Sequence, residues 1–180
     1  ENILDGDHIL FIWGRELMRE NNLSRNLLIT TVMSNLGFEK AWNDIGGILI
    51  RTPVGDKFIR EEIDRQKADL GGEQSGHILS KINNYSGDGV LTAIQIANFC
   101  RKKNITLKDL LRTSFKGFPQ KLTNIKLNSN DKNLKDFLEI NINKSILEKL
   151  DKISEPCRIF ARNSGTEAVL RILVEAENKN

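Results

Sequence analysis

The chain has 180 residues, 39% hydrophobic and 28% charged, with a net charge of +3. That is enough apolar content to bury a core, too much for a disordered polymer, and a length suited to one large or two small domains. A charge this small gives no basic stripe, and Phe115, Phe118, Phe137 and Phe160 follow no stacking pattern, which argues against nucleic-acid binding. No apolar run approaches the roughly 20 residues of a membrane span, and the N-terminus lacks the design of a signal peptide. The two cysteines, Cys100 and Cys157, lie far apart and outside any zinc spacing, so buried free thiols in a reducing, cytoplasmic setting are expected. Glu1 stands where an initiator methionine would, which reads as a piece of a longer protein. Charge is uneven. Residues 1–104 carry 13 basic and 14 acidic side chains, net −1, and residues 105–180 carry 14 and 10, net +4. The second part therefore favours an anion, or simply bears a solvated lysine surface.

In chain order, Asp5-Gly6-Asp7 precedes Ile9, Leu10, Ile12, Trp13 and Leu17, a helical spacing with an acidic start that suits the helix dipole. Asp5 and Asp7 could cap that helix or hold a metal, and capping is the simpler use of them. Asn26 to Met33 reads as a strand, with Ser34 capping a helix that includes Leu36 and Ala41. Gly47 to Arg51 is a second strand. It leads through Val54-Gly55-Asp56-Lys57 into a helix with Phe58, Ile59 and Ile63 on one face. Strand, helix, strand, helix is the rhythm of parallel α/β structure, and a strand-to-helix junction is a common place for ligand loops. Capping by Asp56 is the simpler use of that residue there.

Leu70-Gly71-Gly72-Glu73-Gln74-Ser75-Gly76-His77 carries three glycines in six residues and cannot be helix interior. Its carboxylate and hydroxyl suit sugar hydroxyls, and the same residues also suit a tight turn. Asp88 then opens a helix from Val90 to Lys103, closed by Arg101-Lys102-Lys103, and Thr106 caps a short helix from Leu107 to Thr113. Gln120 to Leu127 reads as a strand, residues 128–143 as a polar flexible insertion, and Lys144 to Ile153 as an amphipathic helix. Two strand-like runs, Cys157 to Ala161 and Val169 to Val174, flank Arg162-Asn163-Ser164-Gly165-Thr166-Glu167, with Arg171 beyond. Hydroxyls, turn amides and guanidinium forks are what a phosphate dianion needs, although an ordinary polar hairpin uses the same residue types.

Arg162-x-Ser164-Gly165-Thr166-Glu167 followed by a short apolar strand resembles the phosphate-binding loop of the α-D-phosphohexomutase superfamily, with Ala168 where proline is usual. Gly72-Glu73-Gln74-Ser75-Gly76-His77 resembles that superfamily's sugar-recognition loop, and Ser86-Gly87-Asp88-Gly89 matches a family helix start. Gln74, where methionine is usual in the phosphomannomutase/phosphoglucomutase branch, resembles the phosphoglucosamine mutase branch, as do Thr31 to Asn35, Val54 to Lys57 and Phe118-Pro119-Gln120. The resemblance implies a three-layer α/β/α domain with a mostly parallel sheet over residues 1–104, the superfamily's third domain. A small α+β domain with a C-terminal antiparallel hairpin follows over residues 105–180, the fourth domain, without that domain's usual final helix. It implies phosphoserine-mediated exchange between glucosamine 6-phosphate and glucosamine 1-phosphate, feeding UDP-N-acetylglucosamine synthesis. Glu73, Ser75, His77, Asp56 and Lys57 would face the sugar. Arg162, Asn163, Ser164, Gly165, Thr166 and Arg171 would hold the distal phosphate. The catalytic serine and the Mg2+ loop of the family lie upstream of residue 1, so no metal and no nucleophile are assigned here. His77 would at most assist proton transfer. The chain alone is expected to bind a hexosamine phosphate without turning it over, with the N-terminal domains as its partners. A phosphomannomutase/phosphoglucomutase, or a non-catalytic sugar-phosphate-binding module, is the alternative.

Overall fold

The computed structural model describes residues 3–81, 84–128, 131–150, 156–164 and 167–178. The chain divides into two compact units, Glu1–Gly117 and Phe118–Asn180. The boundary thus falls at 117/118 instead of the expected 104/105. The short helix after residue 105 explains the shift: Leu110 and Phe115 are buried in the first unit's core, Ile105 packs on it, and Arg15 Nη2 lies 3.3 Å from Thr113 Oγ1.

The first unit starts with α1 (Gly6–Arg19), capped by the Asp5 carboxylate, which accepts from His8 N–H. Its apolar stripe, Leu10, Ile12, Trp13 and Leu17, is buried. There follow β1 (Leu27–Thr31), α2 (Leu36–Asp44), β2 (Ile48–Thr52), α3 (Asp56–Gln66), β3 (Leu70–Gly72), β4 (Ile78–Ser80), α4 (Gly89–Lys103) and α5 (Leu107–Arg112). The strand order is β2-β1-β3-β4. β1 runs parallel to β2 and β3, and β4 is antiparallel to β3. β1 is buried on both faces, as the consecutive apolar residues Leu27, Leu28 and Ile29 demand, and its Thr30 and Thr31 are buried as well. Leu28 joins the core formed with α1, α2, α4 and α5, whereas Leu27 and Ile29 pack with Ile59 and Ile63 of α3. The result is the expected helix–sheet–helix sandwich. Trp42 of α2, fully buried, is also polar-satisfied, its indole N–H donating to the carbonyls of Asn26 and Ile48.

Two helix caps differ from the sequence reading. The cap of α2 is Asn35, which accepts from Gly37 N–H at 2.8 Å. Ser34 is buried instead, its hydroxyl against Thr30 Oγ1. Gly55, and not Asp56, occupies the N-cap position of α3, which frees the Asp56 carboxylate for another partner. Both cysteines are free, and each is half-buried where full burial was expected.

The second unit contains β5 (Gln120–Lys126), α6 (Lys132–Leu150), β6 (Cys157–Asn163) and β7 (Val169–Ala176). Its sheet has the order β5-β7-β6 with both pairings antiparallel. The expected flexible insertion at 128–143 is thereby corrected, since helix begins at Lys132. Asp131 initiates it, accepting from Leu134 N–H at 3.0 Å. The asparagines that suggested a loop are functional parts of the helix: Asn143 both donates to Ala161 O and accepts from Ala161 N–H. β6 is an edge strand, and this pairing, with Glu139 accepting from Asn163 N–H at 2.8 Å, satisfies its open edge.

Candidate functional site

Three parallel strands deliver their C-terminal ends to one edge of the first unit's sheet. The chain leaves β1 toward β2 on one side and leaves β3 toward β4 on the other. Adjacent strands whose connections diverge open a crevice between them, the usual ligand position in such sheets. A cavity of about 280 Å³ lies there, lined by Thr31, Met33, Val54, Glu73, Gln74 and Ser75.

The residues 73–77 form the β3–β4 turn. Glu73 N–H donates to His77 O, Gly76 N–H donates to Glu73 O, and Gly76 takes a φ of +104° that side chains resist. The Glu73 carboxylate accepts from Gly55 N–H at 2.9 Å and from Ser75 Oγ at 3.2 Å. His77 Nδ1 lies 3.0 Å from the Asp56 carboxylate. The structure therefore brings Glu73, Ser75, His77 and Asp56 together. Lys57 points elsewhere, its ammonium 3.7 Å from Glu61 along the exposed side of α3.

The turn is braced from behind by α1. Gly6 N–H donates to Gln74 O at 2.9 Å, and a Cβ at Gly6 would stand 2.0 Å from Glu73 O. Only glycine permits this approach. Burial raises the Asp5 carboxyl, but His8 and the Gln74 side chain bond to it and hold it below its ordinary range. Gln74, which the resemblance ties to substrate class, thus both lines the cavity and ties the turn to the start of α1. Asp7 sits one residue further in, fully buried. It accepts from Asn35 N–H at 2.8 Å, and burial pushes its carboxyl up to about 6. Arg51 fixes the neighbouring β1–α2 turn through the carbonyls of Thr31, Ser34 and Asn35 and the Glu39 carboxylate.

Among the described residues, Asp56, Glu73 and His77 place three possible metal-ligand atoms within 4.8 Å of one another. The donor set does not fit the Mg2+ that the fold family implies. That ion takes oxygen ligands in an octahedron, while here one donor is an imidazole already paired with a carboxylate. No step is derived through a metal at this position.

The second candidate site is the β6–β7 turn. Gly165 and Thr166, two of its expected phosphate ligands, lie outside the described residues. Ser164 is buried, its N–H donating to Val169 O and its hydroxyl accepting from Glu167 N–H. Arg162 and Arg171 are direct partners across the two strands, so their side chains share one face of the sheet. Like charges placed so are unfavourable without a counter-charge, and Glu167, 3.2 Å from Arg171, supplies part of one. Asn163 offers a buried side-chain amide, neither polar atom of which has a hydrogen-bond partner among the described residues. Sequence reasoning missed Thr31, Met33 and Val54 at the first site, and Lys135 at the second. Lys135 Nζ donates to Glu167 O at 2.8 Å. Its signal was the four-residue spacing of Lys135, Glu139 and Asn143, which means something only once the segment is a helix.

The chain belongs to the phosphoglucomutase/phosphomannomutase family, whose α/β/α domain III matches residues 5–118. Within it, the chain is 60% identical over 177 residues to the phosphoglucosamine mutase of Prochlorococcus marinus strain AS9601, and 61% identical over 178 residues to that of strain MIT 9312. The phosphoglucosamine mutase of Synechococcus sp. strain CC9311 is 44% identical. These alignments take in 98% of this chain but 39% of each relative, so the chain spans about two fifths of their length. The fold is shared with a solved N-acetylglucosamine-phosphate mutase of the α-D-phosphohexomutase superfamily in its substrate complex, at a TM-score of 0.74 and 20% identity, covering 98% of this chain and 41% of that one. A phosphoglucomutase/phosphomannomutase family protein from Burkholderia thailandensis matches at a TM-score of 0.72 and 17% identity, over 99% of this chain and 39% of that one. No helix among the described residues is long and apolar enough to cross a membrane.

Proposed function

We propose that this chain is the substrate-holding part of a mutase that interconverts glucosamine 6-phosphate and glucosamine 1-phosphate. The observation that carries the reading is the convergence of Glu73, Ser75 and His77 with Asp56 at the crevice of the parallel sheet. An ionised carboxylate beside a hydroxyl can accept from, and donate to, a vicinal pair of sugar hydroxyls. Glu73 is held by Gly55 N–H and so keeps its place when a sugar enters or leaves. His77, paired with Asp56 and largely exposed, can orient a hydroxyl or pass on its proton.

The β6–β7 turn takes the phosphate that is not reacting, through Arg162, Asn163, Ser164, Gly165, Thr166 and Arg171. The Arg162–Arg171 pairing supports this, because a dianion relieves the repulsion it creates. The second unit is then the superfamily's fourth domain. In this reading the transferred phosphoryl group and the Mg2+ come from an upstream serine and aspartate loop, which supply electrophile and charge neutralisation. This chain's part is to bind and orient a sugar in either direction.

Titrating the 15N-labelled chain with glucosamine 6-phosphate, glucose 6-phosphate and mannose 6-phosphate tests the reading. Amide shifts at Glu73, Ser75 and Ser164 are expected, with the glucosamine sugar saturating first. Glu73→Ala should weaken its binding by about 10- to 100-fold, the worth of a charge-assisted hydrogen bond. Equal saturation by all three sugars would keep the family and remove the substrate. Shifts confined to residues outside both turns would remove the sites.

A further inference from the structure

Lys135 is an unusual place for an ammonium group. Its side chain is buried, at 7% exposure, in the second unit. It donates to Glu167 O at 2.8 Å and to Ser164 O at 3.4 Å, and no carboxylate among the described residues pairs with it. Carbonyl dipoles alone do not replace the hydration that a buried cation gives up, so no counter-charge among the described residues offsets it. The position is not accidental. Lys135, Glu139 and Asn143 form one stripe of α6, four residues apart, and each reaches the β6 edge or its turn. Glu139 and Asn143 fix the strand. Lys135 is the member of the stripe that reaches the turn, donating to the carbonyls of Ser164 and Glu167 on either side of it.

We propose that Lys135 is a positioning residue of the β6–β7 turn and the third cation, with Arg162 and Arg171, that a bound phosphate dianion neutralises. This rests on reading that turn as a phosphate site. The geometry supplies two effects. In a trans peptide, C=O and N–H point in opposite directions. Turning the Glu167 carbonyl to the ammonium therefore turns Ala168 N–H away from it. The second effect is electrostatic: a cation shielded from water acts on an anion above the turn with little screening.

The test is a titration of the 15N-labelled chain with inorganic phosphate. In the unaltered chain, the amides of Ser164, Ala168 and Arg171 should shift together. Lys135→Met removes the charge but keeps the length. It should weaken phosphate binding at least tenfold while exchange protection at Leu122, Ala161 and Leu173 stays unchanged, and Lys135→Arg should restore most of the affinity. Unchanged affinity in Lys135→Met overturns the role of Lys135 and leaves the phosphate site standing. Absence of shifts in the unaltered chain removes the phosphate site and the inference together. Should Lys135→Met lose its sheet, the side-chain 15N resonance of Lys135 in the unaltered chain decides. A shift with the same midpoint as the amides supports the proposal, and a resonance that phosphate leaves unmoved overturns it.

Discussion

Replacing Arg158 with methionine is expected to destabilise the second unit by about 3–5 kcal/mol, the cost of stripping a buried charge of its partner. Glu175 is fully buried on the central strand β7. Arg158, its partner across the β6–β7 ladder, approaches it through both Nε and Nη2, and Gln120 on β5 donates to it from the other side. The guanidinium also lies 5.2 Å from the Phe160 ring, so methionine retains part of the packing and loses the charge. What remains is a buried carboxylate inside a three-stranded sheet that faces the neutral Gln120 amide and has lost its cation. Both tryptophans, Trp13 and Trp42, lie in the first unit, so their fluorescence should be unaffected. Amide exchange in β5, β6 and β7 should accelerate by roughly two to four orders of magnitude, or reach the unprotected rate if the unit is less stable than the pair. Adding Glu175→Gln to Arg158→Met should recover most of the loss, because the uncompensated charge is gone. A single substitution that leaves exchange in all three strands unaltered would refute the argument.

Asp7 carries the second large effect, and it is a dependence on pH. Burial raises its carboxyl from 3.8 to about 6, against the bonds from Asn35 N–H and the Ser34 side chain that favour the charge. A carboxyl raised in the folded state binds more protons there than in the unfolded chain. Its contribution to stability is complete below pH 4 and is lost as pH rises through 6. The loss amounts to roughly 3 kcal/mol, at 1.36 kcal/mol for each pH unit separating the two states. Asp7→Asn keeps an acceptor for Asn35 N–H and removes the titration. Urea unfolding followed by tryptophan fluorescence at pH 4, 5, 6 and 7 should therefore show the two proteins diverging, with the variant more stable by up to that amount at pH 7. Asp5 and Asp69 are held below their ordinary range, so their effect has the opposite sign and falls at lower pH. Parallel curves for the two proteins between pH 4 and 7 would show that Asp7 is ionised without cost.

Much of the fold was legible because its signals are local. The stripe Leu10, Ile12, Trp13 and Leu17 behind Asp5 specified α1, and Thr106 specified the cap of α5, where the structure adds Asp109 as the other half of a capping box. The twin strands around Arg162–Glu167 specified a hairpin. The boundary at 117/118 was not legible, because it depends on which core takes Leu110 and Phe115, and no local pattern says so. Nor was α6. Its asparagines and lysines are unremarkable in a loop, and they become helix only because Lys135, Glu139 and Asn143 find backbone partners in β6 and its turn.

The candidate sites divide in the same way. Sequence alone determined which chemical groups are present: a glycine-rich turn with Glu73, Ser75 and His77, and a second turn with two arginines and two hydroxyls. Tertiary structure alone decided their company. Asp56 meets His77 because β2 and β3 end at one edge of the sheet, and Gln74 meets Asp5 because Gly6 lets α1 approach the turn to backbone distance. Lys135 meets Ser164 and Glu167 from 29 and 32 residues away. The physical reason is range. Capping, turning and periodicity act within a few residues, whereas burial and charge pairing act between whichever groups the packing brings together.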